Sequence, residues 1–107
     1  RAVAAAQAAS ADLESVLAGR TAEREAATAW AVLERARQEL ATLDARVLPR
    51  VTRALELTGV LFRAGAADAY RMLLARQAVF TARVRRLKAL REAWRARIDL
   101  DRATGGP

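Results

Sequence analysis

No cysteine and no histidine occur in the 107 residues. Disulfide staples are therefore excluded, and so are the commonest transition-metal ligands and general bases. Glycine is held to 5 positions, proline to 2 and aromatic residues to 5% of the chain. Turns are therefore few, and a thick aromatic core cannot be built. No apolar run approaches the roughly 18 to 20 residues that a helix needs to cross a bilayer. No amino-terminal pattern of basic, apolar and small residues marks a signal peptide. Lysine is nearly missing too, since Lys88 is the one lysine among 19 basic side chains and the rest are arginine.

What fills the space is alanine, at 28 of 107 positions. Alanine is the strongest helix former and the smallest side chain a helix can present, so the composition points to long, thin, close-packed helices. Arg1 to Arg63 hold 9 basic and 8 acidic residues, whereas the remainder holds 10 basic and 4 acidic. The second half thus carries +6 of the net +7. A basic surface attracts polyanions, so nucleic acid or an acidic membrane face enters as a candidate partner.

Ala22, Ala26, Ala29, Leu33, Ala36, Leu40, Leu43 and Val47 alternate spacings of four and three, the pattern of a coiled-coil seam. Ala2, Ala6, Ala9, Leu13 and Val16 form a second such row, out of phase with the first by a slip near Gly19-Arg20. Pro49 lacks an amide hydrogen and its ring clashes with the preceding turn, which predicts a kink or short break at Leu48-Pro49. Apolar spacing resumes with Val51, Leu55, Leu57 and Leu61, predicting that the helix restarts in nearly the same direction. A rod of about 60 residues would measure on the order of 90 Å.

Gly65 places a turn at 63–67, and Asp68 is an N-cap for a second helix over 68–103. A loop this short forces the two helices to lie antiparallel. In the second helix Tyr70, Leu73, Gln77, Phe80, Val84, Leu87, Arg91, Trp94, Ile98 and Asp101 keep the three-four alternation, predicting its seam. Trp30 and Trp94 are expected in core or inter-helix packing. Gly105-Gly106-Pro107 reads as a helix stop. The expected fold is all-α, one unit over 1–107: a helix 1–62 with its disturbance near 49, the tip turn, and the returning helix.

Catalysis finds no foothold. Ser10 and Ser15 lie on an alanine-rich helix without a basic partner, Met72 is a weak metal ligand by itself, and no glycine-rich phosphate loop occurs. Glu23, Glu25, Glu34 and Glu39 alternate with Arg20, Arg24, Arg35 and Arg37 as solubilising pairs, each worth about 0.2 to 0.5 kcal/mol. The expectation is a protein that is not an enzyme and holds no cofactor or metal.

The order of these features resembles the C-terminal helical hairpin of TolC-like outer-membrane efflux proteins. An alanine-rich helix, Leu48-Pro49 ahead of "RALELTGVLFRAG", then "LLARQAVFTARVRRLKA" and the ending "RIDLDRATGG" together carry the likeness over nearly the whole chain. Its wording looks closest to the CusC/CzcC-like metal-cation efflux branch. The resemblance implies a segment of a trimeric α-helical barrel in the periplasmic portion of an outer-membrane channel. Such a channel exports small molecules or metal cations with a periplasmic adaptor and an inner-membrane pump. Phe62, Arg63, Ala64 and Gly65 would be the tip that meets the adaptor. Family members commonly carry carboxylates just past the turn, but Arg71 and Leu74 stand at the matching positions here. Asp68 and Arg71 are thus the candidate pore-tip charges.

The family's β-strands and first repeat are not in this sequence, which starts mid-pattern without Met, so a piece of a longer protein is expected. Alone it should self-associate, having a heptad on each strand and little mass for a core. The rival reading is a free-standing basic coiled-coil module that binds a partner helix, nucleic acid or an acidic membrane surface. The basic residues are spread around the second helix, which argues against nucleic acid as its partner.

Overall fold

The structure, a computed structural model, describes residues 1–105 and is all-helical over them, with no strand among the described residues. Helix α1 spans Ala2–Thr42, a π-helical turn spans Leu43–Val47, α2 spans Leu48–Arg63 and α3 spans Ala69–Ala103. The first three are end-on segments of one rod. The whole molecule measures 92 Å by 20 and 18 Å, its length close to what a single helix of this rod's residue count reaches. Antiparallel α3 covers α2, the π turn and the second half of α1.

The disturbance expected near Pro49 is a widened turn rather than a break. The amide of Leu48 donates to the carbonyl of Leu43, five residues back, and Pro49 follows as one of the first residues of α2. The extra residue in that turn makes room for a proline ring that would otherwise strike the carbonyl four residues earlier. It also moves the heptad forward by one. An unbroken count from Leu43 and Val47 would bury Arg50, Ala54, Leu57 and Leu61, and all four are exposed. Val51, Leu55, Thr58 and Gly59 turn toward α3 instead.

On α1 the buried positions Ala29, Leu33, Ala36 and, in the π turn, Leu43 are the seam read from the sequence. On α3 the buried positions are different from those expected. Val79, Ala82, Ala89 and Ala96 face the first rod, in a heptad row that also holds half-buried Met72, Ala75, Arg86, Ala93 and Leu100. This inner row lies two residues out of step with the Leu73–Phe80–Leu87–Trp94 row. At 3.5 residues per turn that offset is about 150° around the helix, so the bulky row points away from the partner. Alanine against alanine and leucine lets the two backbones approach closely, and this outweighs the larger area of the aromatic row for the hairpin contact.

Three ion pairs tie the register: Asp44 accepts from Arg86 at 2.7 Å, Glu39 from Arg85 at 2.9 Å, and Glu92 lies 4.0 Å from Arg35. Among the described residues these replace the along-helix pairs expected on the first rod. Each is solvent-exposed and screened by water, so they select an alignment more than they stabilise it. The hydrogen bond and charge of Asp44 raise the pKa of the Arg86 guanidinium above its ordinary value.

Residues 1–20 of α1 lie beyond the reach of α3 and are exposed at every position. Gly19, where the heptad slips, sits in the middle of an uninterrupted helix. At the other end Gly105 takes a φ of +71°, and Gly106 and Pro107 of the expected stop lie outside the described residues.

Candidate functional site

The tip is built by helix-end chemistry. Gly65 has a φ of +77°, a left-handed conformation that side chains with a Cβ adopt at a cost. The amide of Ala66 then reaches back to the carbonyl of Leu61 at 2.8 Å, and that of Gly65 to Phe62 at 3.1 Å. These are the two bonds of a Schellman ending, and they satisfy carbonyls that the last turn of α2 leaves open. Three residues on, the Asp68 carboxylate accepts the Arg71 amide at 2.9 Å and caps α3. Reversal takes only the five residues between Arg63 and Ala69.

Phe62, Arg63, Ala64 and Gly65 are all exposed, with Phe62 at 44% of its free surface. The turn thus presents an aromatic ring, a guanidinium and a bare stretch of backbone at the extreme of the rod. Asp68 and Arg71 meet through a backbone amide, so the acid is engaged as a cap, and both residues stay exposed. Just behind the turn Gly59 is buried beside Met72, whose Cε would lie 3.8 Å from a Cβ placed on the glycine.

The sequence reading did not anticipate that the bulky row of α3 would be a surface. Phe80 is 69% exposed, Leu87 63% and Trp94 64%, and Tyr70, Leu73 and Ile98 are exposed along the same line. Trp30 and Trp94, expected in packing, both point outward. The missed signal was the alternative row two residues away, where alanine at 75, 82, 89, 96 and 103 repeats every seven positions.

Toward the open end of the hairpin, a shallow groove of about 660 Å³ runs between α1 and α3. Arg24, Arg35, Arg95 and Arg102 alternate along it with Glu25, Glu92 and Asp99. Charges of both signs at this spacing compensate one another and single out no anion. Among the described residues no group of three acidic side chains could hold a metal ion, and no helix is long and apolar enough to cross a membrane. Comparison with protein-family models, curated proteins and solved structures finds no match to this chain.

Proposed function

We propose that the chain is a segment of the periplasmic helical barrel of an outer-membrane efflux channel, working with an inner-membrane pump and a periplasmic adaptor. The observation that carries this reading is the second, outward seam on α3. A helix in a hairpin alone needs one seam; a helix in a closed ring needs two, one for each neighbour. Seams set about 150° apart match the angle at which a helix meets both neighbours in a ring of about twelve. The 92 Å length and the bare, aromatic-edged tip agree with a conduit wall whose end abuts another protein. The likeness of its ordered segments to TolC-like proteins supplies the identity of that conduit.

In this reading Phe62, Arg63, Ala64 and Gly65 form the adaptor contact, and the full-length protein is a trimer. Asp68, already capping α3, leaves the acidic pore ring of the family without a clear counterpart. Metal cations or small organic molecules are the cargo, passed rather than held. The free-standing module, the rival reading, shares the outer seam and differs at the tip, which would then have no partner.

The lack of cysteine in the chain makes the test direct. In the complete gene product, expressed in its own cells, Ala64→Cys should cross-link to a periplasmic adaptor, and Ala31→Cys, halfway along the rod, should not. Equal labelling at both sites, or a tip cysteine that captures nothing while the protein is folded, overturns the channel reading.

A further inference from the structure

The basic excess of α3 is sorted by the fold. Arg85 and Arg86 reach across to the first rod and are engaged by Glu39 and Asp44. Six of the others stand in two rows that flank the exposed bulky seam along its length. Arg76, Arg83 and Arg97 lie on one side, and Lys88, Arg95 and Arg102, which also border the mixed-charge grooves against α1, on the other, at separations of seven or fourteen residues. All six are exposed, and neither row contains a carboxylate. Among the described residues only Arg97 has an ion-pair partner, Asp101, one turn along the same helix at 3.5 Å.

These rows occupy the positions that in a coiled coil set partner choice by charge, next to the apolar seam. A second α3 laid on this seam would bring six cations against six, an arrangement that like-charge repulsion disfavours. From the placement of these residues we infer that the outer seam of α3 docks an acidic amphipathic helix, one with a narrow apolar heptad flanked on both sides by Asp or Glu. The inference rests on the reading of this seam as a helix–helix contact. It adds the charge of the partner.

A lipid surface would also draw cations around an apolar face. The seam here is two residues wide and straight, the width of a helix-packing stripe, whereas interfacial helices carry a broader apolar face. Gln77 and Arg91 interrupt it at single seam positions, as polar residues do when they fix register between helices. Nucleic acid fits less well: the aromatic residues of the seam, Tyr70, Phe80 and Trp94, stand ten and fourteen residues apart, about 15 and 21 Å along the helix, too far apart to stack successive bases.

The experiment uses the 107-residue chain and two synthetic helical peptides of about five heptads. Both have Ala and Leu on the seam; one carries Glu at every flanking position and the other Lys. Titration calorimetry in dilute salt should show the Glu peptide binding tighter by on the order of ten- to a hundred-fold, with the gap closing as salt rises. The variant Arg76→Glu, Arg83→Glu, whose changes lie on the exposed face and away from the grooves between α1 and α3, should narrow the gap between the two peptides. Equal binding of both peptides would overturn the charge assignment and keep the seam as a docking face. If neither peptide binds, the docking reading falls with it. If phosphatidylglycerol vesicles bind the chain while the Glu peptide does not, the partner is a membrane surface and the proposal fails.

Discussion

Asp68 contributes through one carboxylate oxygen held 2.9 Å from a backbone amide, an interaction whose worth is set by the orphaned donors at a helix start. Asp68→Ala should therefore lower stability by about 1 kcal/mol, and Asp68→Asn should restore most of it, as read from thermal unfolding by circular dichroism. A purely electrostatic role at the tip would separate the two differently, with Asn as damaging as Ala. Gly19 is the opposite case. It sits mid-helix with nothing within 4 Å of an added Cβ, so Gly19→Ala should raise the helicity of the segment by favouring the helix about 1 kcal/mol. Unchanged ellipticity would mean that the glycine lies at a real interruption. Gly65 and Asp68 were both legible from residue type and spacing, because turn chemistry is local.

At the scale of the helix, α3 carries two seams made of different material. Ala89 is buried against the first rod and Leu87 stands outside it. Ala89→Leu should destabilise the hairpin by about 1 to 3 kcal/mol by forcing the helices apart. Leu87→Ala should cost less than about 0.5 kcal/mol in the same denaturation experiment. Matching losses in the two variants would place the bulky row back at the hairpin contact. Periodicity alone could not rank these seams, since both rows repeat with the same three-four alternation. Hydrophobic bulk pointed to the wrong one, and the deciding factor was how closely two backbones can approach when alanines face each other. A similar limit applies at Pro49. Its disruption was legible, but its form as a π-helical turn that advances the heptad by one residue depends on α3 rewarding the new phase with Val51, Leu55 and Gly59.

The whole molecule is a rod with one end unsupported. Residues 1–20 have no neighbour on any face, and a helix of that length without tertiary contact is marginal even when rich in alanine. Amide hydrogen exchange in this segment should run orders of magnitude faster than in Leu33–Leu43, and addition of a partner that covers it should slow it. Comparable protection throughout would show that the segment is already paired in solution. Self-association is expected as well. Because the seam of α3 is framed by cations, sedimentation should show it strengthening as sodium chloride is raised from dilute to molar, where the screening length falls to about 3 Å. Association that dissolves in salt would instead indicate that oppositely charged faces join the copies.

By itself the sequence determined that this chain is helical, where it reverses and which face of α1 packs from Ala29 to its end. Alanine content, the glycine at the turn, the capping aspartate and the heptad of α1 act within a few residues of where they stand. Only the tertiary structure decided which of two equal heptads on α3 closes the hairpin, that six of its cations frame the other, and that the tryptophans are surface. Those outcomes depend on the competition between burying large side chains and bringing small ones into close contact, and that competition is settled across two helices rather than along one.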